Sequence, residues 1–317
     1  MSPRSASSTP TTGHDRVVPS GERPSARSLS GSAVILVAAS LWGTTGTVRT
    51  FVPEASSVSI AAVRIVMGGL LLVALAALTG RGAGLRRLLA SRRNRLLLAV
   101  GAVAVAVYQT AFFTAAARTG VAIGTVVTIG SAPAFAGLLG VLTRRSRRDA
   151  RWALATAGAV TGCAALILGG EDAGVEPLGI ALALLSGLSY AVYATLASVM
   201  IDNGEQDRAV TGAMFGAAAV LLLPALLAGD PGWTLSAHGT LIALYLGVIT
   251  TACAYVLFAR GLRTTPATTA TTLTLAEPAV AAALGMAVLD EHLGAIALSG
   301  LALLLTSLLI LIWPTRH

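Results

Sequence analysis

The chain has 317 residues, of which 55% are apolar and only 11% charged, and its mean hydropathy is +0.79. A soluble domain of this length carries about a quarter charged residues, so the composition excludes a water-soluble globular protein and makes the bilayer the solvent for most of the chain. The net charge of +8 comes from arginine, with no lysine, and these arginines sit in short loops between apolar runs, which points to positive-inside orientation and anionic lipid head groups rather than nucleic acid.

In chain order, residues 1–30 are rich in Ser, Pro, Thr and Arg, lack apolar periodicity, and read as a disordered cytoplasmic tail. Arginines followed by Ala33 to Ala39 faintly imitate a secretory signal. The apolar run continues through Leu41 and more spans follow, so no cleaved signal is expected. A helix needs about 20 mostly apolar residues to cross a hydrocarbon core about 30 Å thick. Ten runs qualify: 31–51, 58–79, 96–117, 119–143, 152–170, 178–201, 209–228, 238–259, 264–288 and 293–313. The fourth and ninth each contain a proline, and the ninth is threonine-rich. Strands of a membrane barrel would alternate apolar and polar residues; Leu301 to Leu311 do not, so the fold class expected is an all-α integral membrane protein of ten transmembrane helices. Cys163 and Cys253 fall inside spans and read as small hydrophobes. Gly120/Gly124, Gly158/Gly162 and Gly212/Gly216, at four-residue spacing, suggest close helix contacts.

If the N-terminus is cytoplasmic, the inside segments hold 19 of the 22 arginines. The main clusters are Arg81, Arg86, Arg87, Arg92, Arg93 and Arg95, then Arg144, Arg145, Arg147, Arg148 and Arg151. Outside lie Arg118 and the acids Glu54, Glu171, Asp172, Glu176, Asp230, Asp290 and Glu291. This asymmetry places both termini in the cytoplasm and favours a bacterial plasma membrane.

The sequence also repeats. An offset of 145 lays Phe113 on Phe258, Arg118 on Arg263, Thr119 on Thr264, Pro133 on Pro278 and Gly140 on Gly285; one near 148 puts Trp42 on Tyr190. Residues 31–170 and 178–313 thus form two five-helix halves. Five is odd, so the second half is inverted relative to the first, an architecture that places a transporter's substrate site near midplane where the halves meet.

The residues that carry the repeat resemble a known family. Trp42-Gly43-Thr44, Arg64, Ala117-Arg118-Thr119 leading to Ser131-Ala132-Pro133, then Leu262-Arg263-Thr264, Ala276-Glu277-Pro278, Asp290-Glu291 and Gly300 are similar to the EamA family of the drug/metabolite transporter superfamily. The resemblance implies a ten-helix carrier that moves small metabolites, often amino acids outward, by alternating access. Two departures are that the acidic residue after the fourth span appears as Asp149, displaced by an arginine-rich insertion, and that Tyr190 replaces the first copy's tryptophan.

Ionisable groups inside a bilayer cost about 2.5–3.5 kcal/mol each on translocon scales, so each needs a partner or a use. Glu277 lies roughly 20 Å from the cytoplasmic end of the ninth span and Arg64 about 9 Å in from the outside, at 1.5 Å per residue; these depths permit an ion pair. Glu277 either binds a substrate ammonium or a coupling proton, or ties the ninth span to the second through Arg64. Pro133 and Pro278 are candidate helix breaks or gates, freeing carbonyls to line a polar cavity, or else simple kinks. Thr45, Gln109 and Ser131 are candidate substrate hydrogen-bonders, with interhelical glue as the plainer role. Trp42, Tyr190 and Tyr193 are candidate walls of the site, with packing as the plainer role.

An enzyme is not expected: His14, His238, His292 and His317 lie in the tail, loops or C-terminus, no metal cluster or catalytic motif appears, and a Walker loop is impossible without lysine. No cofactor is expected. The partners expected are a small-molecule substrate and the lipid bilayer, with a coupling proton or ion and a homodimer left open. Drug efflux and uptake remain alternatives to metabolite export; a drug pump would call for a more aromatic cavity than 5% aromatic residues suggests.

Overall fold

The computed structural model describes residues 31–119, 121–143, 150–168, 176–288 and 294–313. The tail, Gly120, Arg144, Arg145, Arg147, Arg148, Asp149, Glu171, Asp172, Asp290, Glu291, His14, His292 and His317 lie outside the described residues.

All regular structure among the described residues is helical. In order the helices are α1 (Gly31–Arg49), α2 (Ser57–Leu78), α3 (Ala83–Ala90), α4 (Arg92–Thr119), α5 (Val121–Leu142), α6 (Ala150–Leu168) and α7 (Pro177–Asp202). They continue with α8 (Asp207–Ala228), α9 (Ala237–Leu244), α10 (Ala254–Gly261), α11 (Ala267–Leu273), α12 (Ala276–Val288) and α13 (Ala295–Ile312). A π-helical stretch, Tyr245–Cys253, joins α9 and α10 into one span, and α11 and α12 are two parts of another. Nine spans among the described residues are long and apolar enough to cross a membrane. The 19-residue α6 runs against α13 beside them, so the expected count of ten is met approximately.

The helices do not pack half by half. Helix α1 lies against α10 and α12 of the second half, while α7 lies against α4 and α5 of the first. Helix α2 pairs with α8, and α6 with α13. Exchange each helix for its counterpart in the other half and this contact pattern maps onto itself, as an axis relating two inverted repeats requires.

Small residues make the pairings close, because apolar contact with lipid is no worse than apolar contact with a neighbour and only tight packing favours association. A Cβ on Gly212 would sit 2.6 Å from the carbonyl oxygen of Leu72 on α2, and one on Gly162 would sit 2.7 Å from that of Gly300 on α13. Two of the three glycine pairs therefore mark real helix contacts. At the arginine-rich end Arg151 extends the α6–α13 pairing: its guanidinium donates to the carbonyls of Ile310 and Trp313, which end α13 without helical donors.

Three local features depart from ten plain helices. The first is α3, which was not expected. Leu85 and Leu88, three residues apart, share one face that packs into the bundle, and the Gly80-Arg81-Gly82 turn that aims it has φ of 54, 55 and 71°, a region glycine enters freely. Second, α4 starts at Arg92, four residues ahead of the apolar run, with the Ser91 hydroxyl accepting the Asn94 N–H at 3.3 Å as a cap. Third, Pro278 splits the ninth span: its ring clashes with the carbonyl four residues back, at Thr274, so α11 ends at Leu273 and α12 restarts at Ala276. Pro133 instead sits inside an unbroken α5.

Gly162→Val should lower the melting temperature of the purified protein by several degrees, since overpacking costs about 1–3 kcal/mol. Gly46, with nothing within 4 Å of its Cβ position, should accept alanine with no loss; equal melting losses for the two variants would refute the packing account.

Candidate functional site

The exchange of α1 and α7 brings six elements to one point inside the bundle. Trp42 of α1, Tyr108 of α4, Thr128 and Ile129 of α5, Tyr190 of α7, Thr274 at the α11–α12 break and Glu277 of α12 line a small cavity of about 20 Å³, room for about one water molecule. The two prolines explain part of this lining. Ile129 and Thr274 stand four residues before Pro133 and Pro278, so each has a carbonyl that the proline cannot bond. Thr274 recovers a partner in the Glu277 N–H at 3.0 Å.

Seven of the chain's fifteen aromatic residues form one cluster, of which Trp42, Tyr108 and Tyr190 line the cavity. Trp42 lies 4.8 Å from Tyr255 and 5.6 Å from Phe258, Tyr108 lies 5.3 Å from Tyr190, and Phe215 lies 4.1 Å from Tyr255. Tyr193 contacts Tyr190, Phe215, Tyr255 and Phe258 at 5.5–6.3 Å. The cluster obeys the repeat: an offset of 148 carries Trp42 to Tyr190 and one of 147 carries Tyr108 to Tyr255, so the Trp42–Tyr255 pair is the counterpart of Tyr190–Tyr108. Low aromatic content overall therefore does not mean a poorly aromatic centre. Sequence reasoning missed Tyr108, Tyr255 and Phe258 as site residues, although an offset one residue shorter than that relating Trp42 to Tyr190 pairs the two missed tyrosines.

Glu277 and Arg64 do not form the ion pair that their depths permit. Arg64, 8% exposed, places Nε 3.4 Å from Thr251 Oγ1, while no oxygen of Glu277 comes within 4 Å of it among the ion pairs formed. The π-helical turn produces this arrangement by displacing Thr251, whose hydroxyl donates to the Leu246 carbonyl five residues back and accepts from Arg64. Both charges stay within electrostatic reach of Tyr108, so they frame the cavity without neutralising each other in contact.

Unmet hydrogen-bonding groups mark the same region. Trp42 Nε1, Thr45 Oγ1, Gln109 Nε2, the hydroxyls of Tyr190 and Tyr193, and Thr195 Oγ1 are buried with no protein partner. More than 90% of buried polar groups in folded proteins are bonded, and leaving one unmet costs about 1–3 kcal/mol. Of this set, the Trp42 N–H and the Tyr190 hydroxyl lie in the lining beside Glu277, and such donors are what a ligand-binding centre needs before its ligand arrives.

The candidates divide. Trp42, Tyr190 and Glu277 line the cavity, Tyr193 backs it, and Arg64 stands nearby. Ser131 does not line it: its hydroxyl donates to the Thr128 carbonyl at 3.2 Å and packs against Gly187 of α7. Gln109, 2% exposed, lines a separate cavity of about 150 Å³ among α2, α4 and α8. Thr45 is one turn beyond Trp42 on α1 and outside the lining.

On the arginine-rich side, the same helices α5, α7 and α11 bound a wider vestibule of about 310 Å³. Thr143, Thr195, Ser198, Asp202, Arg263 and Thr264 are among its lining residues. Along α11 the hydroxyls of Thr268, Thr271 and Thr274 lead from this vestibule to Glu277.

Comparison with known proteins adds three findings. The chain matches the EamA-like transporter family twice, over residues 29–168 and 177–313. It is 38% identical over 283 residues to the uncharacterized transporter YwfM of Bacillus subtilis (strain 168), covering 88% of this chain and 93% of that one. A protein of known crystal structure shares the fold with a TM-score of 0.73 at 17% identity, covering 88% of this chain and 95% of that one.

Because the buried Tyr193 hydroxyl has no hydrogen-bond partner in the protein, Tyr193→Phe should melt at or above the wild-type temperature while substrate binding weakens. A drop of several degrees in this variant would assign the hydroxyl to the fold instead.

Proposed function

The chain belongs to the EamA-like transporter family, and from that premise we propose that it is a secondary carrier exporting a small amine-bearing metabolite, an amino acid or close analogue, by alternating access. The reading rests on one observation. The only acidic residue well inside a span, Glu277, faces a small cavity where the two halves meet, lined by the rings of Trp42, Tyr108 and Tyr190 and by the Trp42 N–H and Tyr190 hydroxyl. In that setting the carboxylate takes the substrate ammonium, a charge-assisted contact worth most where water is excluded. The rings of Trp42, Tyr108 and Tyr190 add cation–π attraction, and the Trp42 N–H and Tyr190 hydroxyl are donors available to a substrate carboxylate.

A cavity of about 20 Å³ does not hold a metabolite, so loading requires the halves to separate around it. The α11–α12 break and Pro133 supply points where that movement concentrates. The vestibule lies on the arginine-rich side, which the positive-inside rule makes cytoplasmic, and an exporter loads from there. Both termini on that face of a bacterial plasma membrane belong to the same proposal.

A second reading, efflux of hydrophobic cations, is favoured by the seven-ring cluster. One experiment separates the two. The protein and its Glu277→Gln variant are expressed in a bacterial host, correct insertion of both is verified, and the medium is profiled for metabolites. We expect one amine-bearing metabolite to accumulate with the wild type and to fall at least about tenfold with the variant, the loss of one charge-assisted contact. Equal export by both removes Glu277 from the site. A profile identical to the empty host removes metabolite export and moves drug efflux, read by resistance to cationic dyes, to the front.

A further inference from the structure

The transport reading leaves unused the corner where α2, α3 and α4 meet. Six of the 22 arginines fall between positions 81 and 95, and all six are exposed. Arg87 approaches an acid, with Nε 3.8 Å from Glu205, yet its side chain remains 69% exposed. Glu205 is already held by the Asn94 amide, which donates to it at 2.9 Å. Arg81, Arg86, Arg92, Arg93 and Arg95 have no acidic partner within 4 Å among the described residues.

The backbone fixes this cluster in place. Helix α3 is pinned by Leu88, 0% exposed, and by Gly84, against which Gln206 at the start of α8 packs. Arg86 donates to the Arg81 carbonyl at 3.3 Å and Arg95 to that of Leu89 at 3.4 Å, so two guanidinium groups fold over the two ends of α3. Leu78, Leu89 and Leu96 beside them are 81%, 48% and 66% exposed. Basic groups set against exposed leucines at the end of a span match the two parts of a lipid, its head group and its chains.

We propose that the α2–α3–α4 corner is a binding site for an anionic phospholipid of the adjoining leaflet. The guanidinium groups of Arg86, Arg92 and Arg93 hold the lipid phosphate, and Leu89 and Leu96 lie along its acyl chains. Guanidinium matches phosphate oxygens in a planar fork, and the absence of protein carboxylates leaves these groups to an anion from outside. Orientation by positive loops alone needs only the charge count. A site needs the held geometry of α3 and gives lipid selectivity. The inference stands independently of which molecule the protein carries.

The test uses the full chain in nanodiscs of equal parts phosphatidylglycerol and phosphatidylcholine, with retained lipid read by native mass spectrometry. Wild type should retain phosphatidylglycerol preferentially. Arg86→Gln/Arg92→Gln/Arg93→Gln should lose the preference by about fivefold per charge removed, and the matching Arg→Lys variant, which keeps the charge but not the fork, should lose a measurable part of it. If the triple variant does not insert, Arg86→Gln and Arg93→Gln made singly replace it, each expected to lower the preference about fivefold. No preference in the wild type, or an undiminished one in the glutamine variants, overturns the proposal.

Discussion

Inside hydrocarbon there is no water to bond a backbone N–H or C=O, so every such group must be met within the chain. Helices satisfy this rule along nearly their whole length here, and the places where they do not are informative. Pro133 and Pro278 leave the carbonyls of Ile129 and Thr274 without their regular donors, and both residues line the small cavity beside Glu277. The backbone irregularity, which would be costly against lipid, lies inside the bundle.

The same constraint explains why the halves interlock. Lipid tails are as apolar as leucine, so burial of leucine alone does not drive helix association; close backbone approach does. Gly162 and Gly212 permit that approach at α6–α13 and α2–α8, two pairings formed between equivalent helices. Helices α1 and α7 are exchanged across the interface, and so each half contributes an aromatic pair to the centre. The cavity at this centre is therefore lined from both halves.

Polar groups at that centre stay unmet because the local packing favours rings over partners. Trp42, Tyr190 and Tyr193 are surrounded by aromatic faces, which fill space but accept hydrogen bonds poorly. Arg64 and Glu277 are kept out of contact by the π-helical turn that offers Thr251 to the arginine. Both features leave bonding capacity for a bound molecule, and both would be defects in a protein whose only task was to fold.

Much of this was legible in the residues. Apolar runs of about 20 residues dictate membrane helices because a helix of that length meets all its backbone groups within the segment. The offsets of 145 and 148 expose two halves because equivalent positions meet equivalent surroundings. Glu277, Trp42 and Tyr190 stand out because their chemistry is expensive in lipid or rare in this chain. Tertiary structure decided what depends on angle and register. Helix α3 was hidden because eight residues with one buried leucine and one half-buried make no span-length signal. Contact between Arg64 and Glu277 is decided on a finer scale than depth counted at about 1.5 Å per residue. Gln109 and Ser131 carry the right chemistry on the wrong helix faces, and which way a face points is set by how neighbours pack. A dilute set of aromatics became a cluster only when α1, α4, α7, α8 and α10 converged, a contact between residues more than 200 positions apart that no local pattern encodes.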